Sequence, residues 1–243
     1  MQRHSLTNNE IGSIIKAIKG IRGDIICMVD NCYGEFADVY EPVEMGADLA
    51  AGSLIKNPGG GLAPAGGYIA GKTEYVENAA ARLTAPGLGK EVGPTLGLTQ
   101  ALAQGLFMAP QTVNGSIKAA VFASRLFEKL GYETLPASDE IRADIVQAIK
   151  FGCPKKVLAF CRGIQAASPV DSYVSPEPCG MPGYDAPVVM AAGAFVQGSS
   201  IELSADAPMK EPYIAYLQGG LTWFHAKAGV IIAADHMLKQ GLL

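Results

Sequence analysis

Ser53-Leu54-Ile55-Lys56-Asn57-Pro58-Gly59-Gly60-Gly61 is the stretch on which the fold reading turns. Lysines are mostly solvated surface groups. This one follows the small, apolar segment Ala47-Asp48-Leu49-Ala50-Ala51-Gly52 and opens at once onto a proline and three glycines. Upstream, Ile25-Ile26-Cys27-Met28-Val29 is wholly apolar, mostly β-branched, and ends on Asp30. Such a run reads as a buried strand of a parallel sheet with its charge at the carboxyl end, where open α/β sheets bind ligands. A carboxylate at one strand end, a lysine at the exit of the next and a backbone bare enough for close approach suit one chemistry. That chemistry is pyridoxal 5'-phosphate (PLP), held as a lysine Schiff base with an aspartate partner for its ring nitrogen.

Working outward, residues 6–20 carry a helix signal: Thr7 or Asn8 can cap it, Ile11, Ile14, Ile15 and Ile18 form one stripe, and Gly20 ends it. Strands are expected over 24–29, 47–53 and 67–71, and a helix capped by Thr73 runs to Arg82. Residues 84–94 form a Gly/Pro loop. Most of 95–130 is helical, with a break expected near Ala109-Pro110 and a stop at Gly131. Beyond it lies a smaller α/β unit. It has a helical or extended segment at 141–150, a helix over 154–167 and a strand at 171–174. A hairpin of 188–196 with 200–204 turns at Gln197-Gly198-Ser199, and a strand at 212–217 precedes a closing helix over 222–238. The fold class is α/β, divided at 1–110 and 111–243.

Composition narrows the function. Of 243 residues, 49% are hydrophobic and 17% charged, so the chain can bury a core. The net charge is -4 and no Lys/Arg cluster occurs, so nucleic-acid binding has no electrostatic support. No apolar run reaches the ~18 residues a membrane span needs, and the first residues carry no apolar signal segment. The cysteines (Cys27, Cys32, Cys153, Cys161, Cys179) form no C-x-x-C pair and read as reduced thiols of a cytoplasmic protein. With only His4, His225 and His236, a histidine-based metal site is not expected.

Two motifs are read as coincidences. Gly66-Gly67-Tyr68-Ile69-Ala70-Gly71-Lys72-Thr73 matches the phosphate-loop pattern G-x-x-x-x-G-K-[ST]. A phosphate cradle needs a loose loop after a buried strand, whereas Tyr68-Ile69-Ala70 reads as strand and the residues before it are glycine- and proline-rich. Were the chain a nucleotide-binding protein, Lys72 rather than Lys56 would matter. Asn114-Gly115-Ser116 is a glycosylation sequon that reads as a turn.

Several longer motifs carry a resemblance. Asp30-Asn31-Cys32-Tyr33-Gly34-Glu35-Phe36, Gly52-Ser53-Leu54-Ile55-Lys56-Asn57-Pro58-Gly59-Gly60-Gly61, Ser200-Ile201-Glu202-Leu203-Ser204 and Tyr216-Leu217-Gln218-Gly219-Gly220-Leu221-Thr222 resemble the aluminium-resistance, methionine gamma-lyase-like family. That family belongs to the fold type I PLP enzymes of cysteine and methionine metabolism, and the likeness covers nearly the whole chain. It implies that Lys56 binds the cofactor and shuttles the Cα proton, that Asp30 pairs with the ring nitrogen, and that Ser53 binds the phosphate. Tyr33 and Gly59 join the implied cofactor site. The implied reaction is β- or γ-elimination on a small sulfur-containing amino acid such as methionine, cysteine or cystathionine, in a homo-oligomer (dimer or tetramer) with sites shared between subunits.

Departures from the family pattern are as informative. Wider relatives carry a hydroxyl one residue before the lysine, where Ile55 stands here. They hold the substrate carboxylate with a C-terminal-domain arginine, but the last arginine here is Arg162. Only 29 residues precede Asp30, whereas a fold type I large domain carries much of its sheet ahead of that aspartate. The chain therefore reads as the C-terminal part of such an enzyme: a partial PLP-binding large domain, then a linker helix and small domain. The expectation is an unpaired hydrophobic sheet edge, and weak or no PLP binding without an N-terminal segment. A second reading is a catalytically inactive fragment acting as an assembly partner.

Overall fold

The computed structural model describes residues 4–93 and 95–243; Met1–Arg3 and Pro94, the last residue of the expected 84–94 loop, lie outside the described residues. The helix α1 (Asn8–Ile21) begins with a capping box: Thr7 Oγ1 accepts from the Glu10 amide at 3.3 Å, and Glu10 Oε2 accepts from the Thr7 amide at 2.8 Å. Its isoleucine stripe packs Ile11, Ile15 and Ile18 on Cys27 and Ala47.

The first sheet has three strands, β1 (Met28–Asp30), β2 (Leu49–Ser53) and β3 (Gly67–Gly71), in that order. β1 runs parallel to β2, with Met28 opposite Leu49 and Asp30 opposite Ala51; β2 runs antiparallel to β3, with Ser53 opposite Gly67. The expectation of a buried strand over 24–29 is corrected here. β1 starts only at Met28 and pairs on one side, so Ile26 and Met28 are 53% and 58% exposed. Apolar character in this run reflects an open sheet edge, flanked by a groove that Leu6, Ile14, Ile26 and Met28 line.

The helix α2 (Thr73–Leu83) follows β3; Lys72, not Thr73, occupies its cap position, and no side chain caps it. α3 (Thr99–Lys129) then runs unbroken through Ala109-Pro110, and the 110/111 position lies within it. Pro110 removes the hydrogen bond to the Leu106 carbonyl, but both residues face solvent, where water replaces the bond. The sequon Asn114-Gly115-Ser116 is helical, with Gly115 and Ser116 buried against the Gly220–Trp223 segment.

The second sheet contains β4 (Glu133–Leu135), β5 (Gln147–Lys150), β6 (Val188–Ala191), β7 (Ser204–Pro208) and β8 (Ile214–Gln218), ordered β4-β5-β8-β7-β6 and antiparallel throughout. α4 (Pro154–Ala166) packs on it with the end of α3, and α5 (Trp223–Lys239) packs on those two helices. Phe127 of α3 sits edge-on to Phe151 and Phe160, with ring centroids 5.4 and 5.5 Å away. Two expectations are corrected here. Asp171–Val174 is a turn, with Asp171 at φ 52. β6 does form a hairpin with the strand that follows, but that strand begins at Ser204. The intervening loop is pinned by buried Glu202, whose carboxylate accepts from the Phe195 and Val196 amides at 2.9 and 3.0 Å. A buried carboxylate must be bonded, and meeting that need takes residues 200–203 out of the ladder.

Candidate functional site

Because β1 and β2 are parallel, their carboxyl ends lie at the same edge of the sheet. Asp30 therefore ends one strand beside Ser53, which ends the next. After Asp30 the chain turns sharply: Asp30 Oδ1 accepts from the Cys32 amide at 3.1 Å, and Tyr33 adopts φ 78. After Ser53 it turns again, the Lys56 amide donating to the Ser53 carbonyl at 3.3 Å, and Asn57–Gly59 form a single 3-10 turn. The two turns meet. Lys56 Nζ stands 4.4 Å from the centroid of the Tyr33 ring, a cation–π contact. The Cys32 thiol sits among the Asp30 carboxylate, the Lys56 amine and the Ser53 backbone.

The electrostatics follow from these contacts. Hydrogen bonds from Cys32 hold the Asp30 carboxyl below its usual range, opposed by slight burial and assisted by the Lys56 charge. Burial works to lower the Lys56 pKa, but Tyr33 and Cys32 push it up, and the net shift is upward. Burial and the Asp30 carboxylate raise the Cys32 thiol.

The structure thus brings Asp30, Tyr33, Ser53 and Lys56 together, and it places Gly59 differently. The Gly59 amide donates to the Lys56 carbonyl at 3.1 Å, and a Cβ there would lie 1.9 Å from the Leu54 carbonyl oxygen. Close approach of protein accounts for this glycine, and its amide is already engaged. The phosphate-loop match is a coincidence in the structure too: 67–71 is strand β3, and Lys72 Nζ is bonded to Asp48 Oδ1 at 2.6 Å. Sequence reasoning missed Cys32, Asn57 and the buried Asp48. Only the i, i+2 spacing of Asp30 and Cys32 offered a signal, since an aspartate commonly bonds the backbone two residues on.

An amine, an ionised carboxylate and a hydroxyl at the ends of adjacent parallel strands are the donor set PLP requires, so these residues fit that cofactor. Among the described residues, no group of three or more His, Cys, Asp or Glu is placed to hold a metal ion, and no helix is long and apolar enough to cross a membrane.

Comparison with known proteins agrees with this mixed α/β architecture. The methionine gamma-lyase family model matches residues 1–238, and the chain belongs to that family. It is 49% identical over 241 residues to the uncharacterized protein YnbB of Bacillus subtilis (strain 168), covering 99% of this chain and 57% of that protein. It is similar, at 55% identity and TM-score 0.91, to a carbon-sulfur lyase involved in aluminum resistance from Clostridium novyi NT, covering 97% of this chain and 55% of that one. A cystathionine gamma synthase from Xanthomonas oryzae pv. oryzae, 16% identical with TM-score 0.56, shares the fold. The chain spans little more than half the length of the Bacillus subtilis protein and of the Clostridium novyi lyase.

Proposed function

We propose that this chain is the C-terminal part of a fold type I, PLP-dependent carbon–sulfur lyase that eliminates a thiol from the β or γ carbon of a sulfur-containing amino acid. The observation that carries the reading is the convergence of Asp30, Ser53 and Lys56 at one sheet edge, with Tyr33 beneath the amine. Family membership and the similarity to a carbon-sulfur lyase support it.

PLP, when bound, supplies the electron sink for the negative charge that develops at Cα. Lys56 would hold the cofactor and would move the Cα proton. Tyr33 and Cys32 favour the protonated form of this amine against the effect of burial. Asp30, kept ionised by the Cys32 amide, would pair with the ring nitrogen. Ser53 offers its hydroxyl to the phosphate. The open edge of β1 and the groove beside it suit a further strand or a second copy of the chain, as in a homo-oligomer of a cytoplasmic enzyme.

The test is the absorbance spectrum of the purified chain with added PLP, followed by borohydride reduction and peptide mapping. A visible band with the pyridoxyl mass on Lys56, retained in Lys72→Ala and lost in Lys56→Ala, is expected. Label scattered over surface lysines would overturn the reading for this chain.

A further inference from the structure

We propose that Asn57 is a positioning residue: its side-chain amide holds Tyr33 under Lys56 and so sets where the reactive amine stands. The reactivity of that amine rests on the function proposed above; the positioning rests on geometry. Asn57 is fully buried and directly follows Lys56. Its Nδ2 donates twice, to the Tyr33 carbonyl at 2.9 Å and to the Glu35 carbonyl at 3.0 Å. Both amide hydrogens are thereby spent on one loop, the loop that carries Tyr33.

That loop needs holding. Tyr33 and Phe36 adopt φ 78 and 61, a left-handed backbone that side chains other than glycine take at a cost. With its φ in this region, Tyr33 turns its carbonyl inward to Asn57 and lays its ring 4.4 Å from Lys56 Nζ. Simple stabilisation accounts poorly for the residue, because Asn57 Oδ1 is buried without a partner and such an acceptor is costly. Aspartate, its isostere, would present only acceptors to two carbonyls.

The test reads Lys56 directly, without cofactor. The chain is reductively methylated with formaldehyde and cyanoborohydride, and the labelling rate of Lys56 is measured by mass spectrometry relative to exposed Lys16. Loss of the ring contact should raise the relative rate about two- to five-fold in Asn57→Asp and Asn57→Ser, the change expected from an exposed-to-intermediate cation–π contact. Tyr33→Ala should give the same rise with Asn57 intact, and the double variant should add nothing. Tyr68→Phe, which loosens Glu35 without touching Asn57, should leave the rate unchanged. An unchanged Lys56 rate in folded Asn57 variants, or full additivity with Tyr33→Ala, would overturn the proposal. Should Asn57 variants fail to fold, an unchanged rate in Tyr33→Ala would overturn it equally. If PLP never labels Lys56 but these rates move as stated, the cofactor reading fails and the positioning stands.

Discussion

Lys72 Nζ lies 2.6 Å from Asp48 Oδ1, and Lys19 Nζ lies 2.6 Å from Oδ2 of the same carboxylate. The Cys27 amide also donates to Oδ2, at 2.8 Å, and the side chain of Asp48 is only 1% exposed. α1, the approach to β1 and the start of α2 are thus tied to one buried carboxylate. The Cys27 amide first, and then the two lysines, hold its pKa well below the ordinary value of 3.8. Its stabilising contribution is therefore present above pH 3.8 and is lost as pH falls further. Removing a buried charge's partner and removing the charge itself have unequal costs. Asp48→Ala should destabilise by about 3 kcal/mol. Lys72→Ala, which removes a 62% exposed partner, should cost about 1 kcal/mol or less. Urea unfolding at neutral pH distinguishes them; equal losses would contradict this division.

Glu35 gives a pH dependence of the opposite sign. Burial raises its carboxyl to about 7, against the hydrogen bond from Tyr68 Oη at 3.0 Å and with some help from Glu41. The folded chain therefore keeps a proton that the unfolded chain releases near 4.5. Between those values the native state binds more protons, so stability falls as pH rises, by roughly 3 kcal/mol at most. Glu35→Gln should match the native chain near pH 5 and exceed it at pH 8 in urea midpoint. Asp206, raised by burial to about 6, contributes the same sign in both proteins and cancels in the comparison. A variant with an undiminished loss between pH 5 and 8 would refute the assignment.

Gly105 of α3 faces the 3-10 turn after Lys56, and a Cβ there would lie 2.2 Å from the Gly59 carbonyl oxygen. Alanine ordinarily stabilises a helix interior by about 1 kcal/mol over glycine. Here the clash should reverse the sign, so that Gly105→Ala lowers stability by about 1–3 kcal/mol. At Gly20 of α1 a Cβ would enter open space, with nothing within 4 Å, and Gly20→Ala should gain stability. Thermal unfolding of the pair checks both signs.

Local chemistry was the part of this fold most open to sequence reasoning. Thr7-Asn8-Asn9-Glu10 announces its capping box, and Tyr68-Ile69-Ala70 announces β3 over a competing motif. That Asp30, Ser53 and Lys56 share one sheet edge is legible because strand ends and glycine runs punctuate the chain. What escaped depends on contacts made elsewhere. Pro110 reads as a break only until solvent is found on both sides of its missing bond. Apolar residues 25–29 read as buried because composition does not separate a central strand from an open edge. Asn57 escaped because its two carbonyl partners lie more than twenty residues away.

The unbroken run of α3 carries a mechanical consequence. At about 1.5 Å per residue, its 31 residues form a beam roughly 46 Å long. Near one end Gly105 bears on Gly59, three residues past Lys56; midway Ser116 Oγ bonds the Gly220 carbonyl at 3.2 Å; near the other end Phe127 is locked among aromatic rings. The beam is clamped at three points along its length, so neither sheet can rock without loading the other. A twist imposed at Phe127 would arrive as torque on the turn behind Lys56, with Gly105 as the bearing.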